Sequence, residues 1–387
     1  MVVTPTWVGF EQGPIRPPSE ATSLLIRLNR NCPWNKCTFC PVYKGTRFSL
    51  RDTDDIIEEI DVMARMADAV KTLSWKLGFG GEVNRQVVQN VFSGALEATE
   101  QVKHIAFWLY HGGVSAFLQD ANSPVMKPAD MIRVLEHLKK TFPHIERITT
   151  YARSATVARL TPDELQGMRN AGLTRVHIGL ESGSDEVLSL VKKGTTQKQQ
   201  IEGGKKVVEA GLELSEYIMP GLGGKKLSVQ HARETAAALS AINPHFIRLR
   251  SFHAHRIMPI YEDVLSGDFE LLSDDETSDE IRRTIEGLNG IGSYVASDHI
   301  LNLLEEVEGQ LPEEKETILA VIDRYQNMVD DERLLFRIGR RAGFLRRLDD
   351  LEAPENRERA LRIKQRLCES DDIDPDKAVR GLMNGYI

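Results

Sequence analysis

The sequence predicts an α/β fold: a parallel sheet whose strands alternate with helices, followed by a helical extension. Three observations carry this. From residue 115 to about 250, short apolar runs alternate with helical patterns at 128–141, 162–171, 196–210 and 228–241. The runs are VSAFLQ (114–119), ERITTYA (146–152), RVHIGL (175–180), LELSEYIM (212–219) and HFIRLRSF (245–252). Such alternation argues for βαβ units. SLLIRLNR (23–30) adds a first strand, making six. Beyond residue 260 strand signals nearly vanish, and 275–288, 297–308, 313–328 and 331–348 read as helices.

The elements follow in order. Between the first strand and residue 114 the chain is too long for one crossover. It holds a strong helical pattern at 53–70, then KTLSWKLGFGG, a second helical pattern at 84–100, and HIAFWLYHGG. Residues of about 53–112 are therefore read as an α-helical insertion containing at least one helical hairpin. Thr161-Pro162-Asp163-Glu164 sets a capping hydroxyl before proline at the first helical position, with acids in the first turn. Asn170-Ala171-Gly172 and Glu209-Ala210-Gly211 end helices where glycine takes a left-handed cap. The organisation is a core of residues 1–260 and a helical C-terminal extension of 261–387.

Charge supports that division. The 387 residues carry 49 basic and 57 acidic side chains, a net of −8. Residues 1–260 hold 32 basic against 26 acidic, 261–316 hold 3 against 17, and 317–387 hold 14 of each. The sign change near residue 260 marks a boundary, and the acidic stretch reads as a solvated helical surface. Hydrophobic residues at 41% and charged ones at 27% exclude a disordered chain. No apolar run approaches the ~18 residues of a membrane span. MVVTPTWVGFEQGP lacks the cationic-then-apolar order of a secretory signal, so the expected location is cytoplasmic.

Three of the four cysteines crowd into nine residues, Cys32-Pro33-Trp34-Asn35-Lys36-Cys37-Thr38-Phe39-Cys40. Three is a poor number for disulfides, and a reducing compartment keeps thiols free. Thiolate is the soft ligand that iron–sulfur clusters prefer, and three of them hold three corners of a [4Fe–4S] cubane with one iron left open. The loop follows the first strand at its C-terminal end, where α/β barrels place active sites. Zinc held by three cysteines and His104 or His111 is the competing chemistry, and a chance grouping is the plain one. Cys368, far away in the tail, is read as packing there.

Cys-x4-Cys-x2-Cys with an aromatic residue before the third cysteine resembles the radical S-adenosylmethionine (radical SAM) superfamily, whose common spacing has one residue fewer in the first gap. The resemblance covers roughly residues 20–255 and is nearest to the branch with Elp3, MiaB and HemN-like proteins. It implies an open (β/α)6-type partial TIM barrel. It also implies a [4Fe–4S] cluster and S-adenosylmethionine, reductively cleaved to a 5′-deoxyadenosyl radical that takes hydrogen from a substrate. That substrate is unknown; HemN-like oxidation and RNA base modification both belong to the class. An external electron donor of flavodoxin or ferredoxin type is implied too. An iron–sulfur or zinc redox sensor without turnover is the alternative.

The resemblance also assigns residues, each with an ordinary alternative. Phe39 matches the aromatic position near adenine, or is a core phenylalanine. Asp120, with Asn122 beside it, lines up with the second-strand motif that meets the SAM amino group; a turn aspartate is the other reading. Phe79-Gly80-Gly81-Glu82 competes for that role and is placed second, because it falls in the helical insertion. Arg153 suits the methionine carboxylate, or is a surface arginine. Glu181 and Ser182 resemble the ribose-contacting motif, or a strand-to-helix loop with Ser184 as N-cap. Gly221, in Met219-Pro220-Gly221-Leu222-Gly223-Gly224, lets backbone approach the cofactor. His253 and His255 end the sixth strand and read as structural or solvated. In the tail, Arg333, Arg337, Arg340 and Arg341 recur at helical spacing, a stripe that could meet RNA phosphates; RNA is a partner considered but not favoured. Val295-Ala296-Ser297-Asp298-His299-Ile300 carries polar groups with no assigned role.

Overall fold

In a computed structural model, which describes residues 9–96, 98–367 and 374–385, the chain divides into two compact units. One comprises Met1–Asn35, Val42–His177 and Glu209–Glu213; the other comprises Lys36–Pro41, Ile178–Val208 and Leu214–Ile387. The start of MVVTPTWVGFEQGP and Cys368 lie outside the described residues, and so do the expectations placed on them.

The first unit holds β1 (Leu24–Arg27), β2 (Asn29–Arg30), β3 (Ser49–Leu50), α1 (Thr53–Lys76), α2 (Arg85–Phe92), α3 (Glu100–Tyr110), β4 (Ser115–Gln119), α4 (Pro128–Thr141), β5 (Arg147–Ala152), α5 (Ser154–Val157) and α6 (Pro162–Asn170). β1 pairs parallel with β4, Leu24 opposite Ala116, and β4 with β5, Ser115 opposite Arg147. All five residues of β4 are buried, as befits a parallel strand covered on both faces. α1 starts at Asp52, whose side chain accepts from the Asp54 amide, and buries Ile56, Ile60, Met63, Ala67 and Val70 on one face. The insertion is helical throughout. The pattern read over 84–100 is helical only from Arg85 to Phe92, because the chain turns at Ser93-Gly94, where Gly94 has φ +90°; the next helix, α3, begins at Glu100. The Thr161 capping box forms as read, with Glu164 returning its bond.

β6 (Arg175–Glu181) carries the chain into the second unit. There follow α7 (Asp185–Leu190), α8 (Gln197–Glu209), β7 (Glu213–Ile218), α9 (Gly224–Ile242), β8 (Phe246–Leu249), α10 (Tyr261–Ser266), α11 (Asp274–Gly287), β9 (Tyr294–Ala296), β10 (Gly309–Gln310), α12 (Lys315–Gln326), α13 (Asp330–Arg341), α14 (Pro354–Leu367) and α15 (Pro375–Gly381). β7 and β8 pair in parallel, as do β8 and β9, whereas β10 runs antiparallel to β9. The sheet order is β1-β4-β5-β6-β7-β8-β9-β10, mostly parallel with helices between its strands, in the α/β class of a partial TIM barrel. The six expected strands are all present.

The tail departs from expectation in one respect: it is not wholly helical. β9 and β10 lengthen the sheet, and the helix read over 297–308 is an irregular segment. Strands of two or three residues are too short to show a period, and the apolar spacing of that segment mimics a helix. Its polar groups fasten it to the end of β8. Asn302 Oδ1 accepts from the Ser251 amide at 2.8 Å, and Arg248 pairs with Asp298 at 2.6 Å.

Candidate functional site

After β1 the chain enters the cysteine loop. Cys32, Cys37 and Cys40 are free thiols, Cys37 buried and the other two partly exposed. In the first unit, the loop's stems rest on Asn31 and Asn35, both in the left-handed region at φ +67° and +44°. The Asn35 side-chain amide donates to the carbonyl of Tyr43 at 2.5 Å, and its backbone N–H points at Cys32 Sγ at 3.4 Å. Among the described residues no three His, Cys, Asp or Glu side chains are already gathered as a metal group. The fit to an iron–sulfur cluster lies in the donor set: three thiols, none in a disulfide, close together in sequence on one loop.

Asp120 follows β4 directly. It is fully buried, and its Oδ2 accepts from Arg27 Nη2 at 2.7 Å, Arg27 Nε at 3.0 Å and the Asn31 amide at 3.0 Å. The Tyr43 hydroxyl donates to Oδ1 at 3.2 Å. The competing Phe79-Gly80-Gly81-Glu82 stretch is the turn after α1, with Gly80 and Gly81 at positive φ and Trp75 largely exposed beside it. It ends no strand. The strand beside β1 is β4, and Asp120 is the residue that follows it.

Asn122 is buried with both ends of its amide engaged, Nδ2 on Thr156 Oγ1 at 2.9 Å and Oδ1 accepting from the Arg153 amide at 2.9 Å. Arg153 lies with its guanidinium 5.2 Å from the ring centre of Trp34, a cation–π contact. Trp34 sits between the first two cysteines and was not singled out from sequence; an aromatic in such a loop was the available signal. His104 accepts from the Leu25 amide on β1 at 3.4 Å, and burial, assisted by Arg16, pushes its pKa down to about 4. A ring nitrogen occupied by β1 is not a spare ligand. His111 packs edge-on against Phe107 and Tyr110 at the end of α3.

In the second unit, the segment carrying Cys37 and Cys40 is held by the Thr38 amide donating to Val191 O at 3.0 Å and the Ile260 amide donating to Thr38 O at 3.1 Å. The Phe39 ring is buried beneath Lys193 Nζ, 5.7 Å away, and Lys193 pairs with Glu181 at 2.9 Å. Glu181 sits at φ +62°, and its carbonyl accepts from the Met219 amide. Glu216 on β7 belongs to the same charged group. Among the described residues neither of its oxygens has a hydrogen-bond partner. Burial holds that carboxyl well above its ordinary range, with Lys193 opposing and the Glu181 charge adding to the rise. Nothing local in β7 marks this residue out, since alternation alone does not tell an inward acid from an outward one.

Two predicted loops are joined from behind. Ser182 Oγ lies 2.7 Å from His231 Nδ1 on α9, and His231 Nε2 lies 3.5 Å from Glu280 Oε1 on α11. The same Glu280 oxygen accepts from the Gly221 amide at 2.6 Å, where Gly221 has φ +88°. Gly183 is pressed so close to α9 that a Cβ there would lie 2.3 Å from Glu234 O. Ser182 and Gly221 are thus brought together through His231 and Glu280, both invisible to motif reading. His253 is buried and His255 partly exposed.

The arginine stripe turns inward. Arg337, Arg340 and Arg341 on α13 are 6%, 4% and 4% exposed. Arg337 and Arg341 clasp Asp274, Arg337 also bonds Asp376, and Arg340 pairs with Glu305 while donating to the Asn302 and Leu303 carbonyls. These guanidinium groups face acids of the 261–316 stretch and not solvent. That stretch is correspondingly not a purely solvated face, since Asp274 and Glu280 turn inward.

A parallel sheet with a three-thiol loop after its first strand defines a class of cluster-binding α/β proteins. The Radical SAM superfamily profile matches residues 26–236, more than half of the chain, and the chain belongs to that superfamily, whose cofactors are a [4Fe–4S] cluster and S-adenosylmethionine. It is 25% identical over 208 residues, 53% of the chain, to a provisionally named methylthiotransferase of Methanocaldococcus jannaschii. It is 24% identical over 238 residues, 57% of the chain, to the 4′-phospho-dehydrooxetanocin synthase of Priestia megaterium. It spans 36% of the former's length and 27% of the latter's. Coproporphyrinogen III oxidase (HemN) of Escherichia coli aligns over 94% of this chain and 90% of its own, with 14% identity and a TM-score of 0.47. Among the described residues no helix is long and apolar enough to cross a membrane.

Proposed function

We propose that the protein is a cytoplasmic radical SAM enzyme whose Cys32, Cys37 and Cys40 thiolates hold a [4Fe–4S] cluster with one open iron. The observation that carries this is the Cys-x4-Cys-x2-Cys loop of free thiols, following β1 inside the matched region. The cluster and S-adenosylmethionine supply one-electron cleavage of the sulfonium and hydrogen abstraction from a substrate. The chain's own residues bind and orient. Arg153, steadied by Asn122 at its amide and by Trp34 at its guanidinium, offers a fork of donors to the methionine carboxylate. Glu181 accepts from ribose hydroxyls, with the buried Ser182 hydroxyl beside it held by His231, Phe39 lies near the adenine, and the Gly221 backbone borders the cofactor. Arrival of the electron needs an external donor of flavodoxin or ferredoxin type. The substrate is a further protein-specific matter, with HemN-like oxidation and RNA modification as the two reactions to assay.

The experiment is anaerobic reconstitution, iron and sulfide analysis, chemical reduction, and assay for 5′-deoxyadenosine on addition of S-adenosylmethionine. Cleavage is expected, with none in Cys37→Ala, which also loses the cluster. An intact, reduced four-iron cluster that leaves S-adenosylmethionine uncleaved overturns the enzyme reading in favour of a redox sensor.

A further inference from the structure

The Asp120 carboxylate sits where the two stems of the cysteine loop meet. Asn31, whose amide donates to Oδ2, immediately precedes Cys32; Tyr43, whose hydroxyl donates to Oδ1, lies three residues beyond Cys40. Arg27, at the end of β1, adds two bonds to Oδ2 and reaches Asn31 Oδ1 at 3.4 Å. One fully buried side chain therefore receives donors from the strand before the loop, from its entry and from its exit. The group is also roofed. A Cβ on Gly13 would lie 2.1 Å from Asp120 Oδ1, and the Gly13 amide and carbonyl are bonded to Gln119 at 2.9 and 3.2 Å.

We infer that Asp120 is a positioning residue that clamps both stems of the cysteine loop to the end of β4, not a ligand of S-adenosylmethionine. The reasons are satisfaction and access. A carboxylate already engaged by a guanidinium, a backbone amide and a phenol has spent its strong acceptor directions, and charge-assisted bonds of this kind are the tight ones. Asn31 holds a left-handed backbone next to the first cysteine, and an external bond on its amide keeps it there. The clamp rests on the cluster reading for its purpose, though its geometry does not depend on any bound group.

The test uses the full chain in two states. In the cluster-free protein, hydrogen exchange of the Asn31 amide and of peptides covering 28–46 should rise about tenfold or more in Asp120→Ala, as expected for losing charge-assisted bonds. The α6 amides should be unmoved. Tyr43→Phe removes the hydroxyl that donates to Oδ1 and keeps the fold testable should Asp120→Ala be poorly soluble; it should give a smaller rise confined to the loop exit. In the loaded protein, both variants should lose iron to a chelator faster than wild type, in the same order. Unchanged exchange over 28–46 in both variants overturns the clamp. So does a variant whose loop and cluster lifetime match wild type while its affinity for S-adenosylmethionine falls, since that is the behaviour of a ligand. If wild type takes up no four-iron cluster, the cluster reading fails, and the exchange measurement still judges the clamp.

Discussion

His104 and Glu216 bend the stability of the protein with pH in opposite senses. The His104 pKa is pushed down to about 4 because the charged ring is disfavoured by burial and by Arg16; its Nε2 accepts from the Leu25 amide. A histidine depressed in the fold contributes stability above its unfolded pKa of about 6.5, and that is lost as pH falls toward 4. The loss is roughly 3 kcal/mol over that window. His104→Gln, an uncharged acceptor, should flatten thermal unfolding profiles between pH 6.5 and 4, whereas an unchanged acid limb would remove His104 as its source. Glu216 works from the other side. Its carboxyl is raised by burial, so its contribution is full below the ordinary 4.5 and is lost as pH climbs through its folded value. The slope is at most about 1.4 kcal/mol per pH unit. Glu216→Gln should leave acid stability alone and raise the melting temperature increasingly toward neutral pH. Equal shifts at all pH values would mean that packing, not ionisation, governs the site.

At the scale of elements, α13 is tied inward by charge. Asp274, at the start of α11, accepts from both Arg337 and Arg341, which hold its carboxyl below the usual range against the opposing effect of burial. Removing one partner of a buried pair strands the other charge, at a cost of about 3–5 kcal/mol. Asp274→Ala should therefore lower the melting temperature far more than Asp330→Ala, whose partner Arg333 sits at the exposed rim. Near-equal effects would show that the α13 arginines are solvated after all. Elements with local signals were legible in the sequence. Thr161 with Glu164 announced α6, and the apolar runs announced β1, β4, β5, β6, β7 and β8, because caps and continuous apolar runs are written within a few residues. β9 was hidden, being three residues long, and the inward turn of the α13 arginines was hidden because their partners lie 35 to 67 positions away. The candidate site divides the same way. The cysteines and the loops after β4, β6 and β7 could be read from motifs, but the bonds behind them, from His231 to Ser182 and from Glu280 to Gly221, span 49 and 59 residues and leave no local trace.

For the whole molecule, the question is whether residue 260 ends anything. Charge places a boundary there, yet β9 continues the sheet by pairing with β8, and α11 packs on α9 so closely that a Cβ on Gly287 would lie 2.9 Å from Ala236 Cβ. α9 buries Ala236, Leu239 and Ile242, while α11 buries Ile281 and Ile285. A chain stopped at 260 loses α11 and with it the cover of that α9 face. Exposing two large aliphatic side chains costs on the order of 3–6 kcal/mol, a large share of the ~5–15 kcal/mol that holds a typical fold together. It also takes away Glu280, leaving the Gly221 amide without its acceptor and His231 Nε2 without the carboxylate 3.5 Å from it. The truncated chain should aggregate or melt without cooperativity, whereas full-length Glu280→Gln, which retains the α11 cover, should fold. That variant should keep its cluster and show weaker binding of S-adenosylmethionine by calorimetry, because the loops after β6 and β7 would lose their common anchor. Cooperative melting of the 1–260 chain within a few degrees of full length would restore the boundary that the charge pattern suggested. It would also reduce the extension to a cover rather than a part of the site.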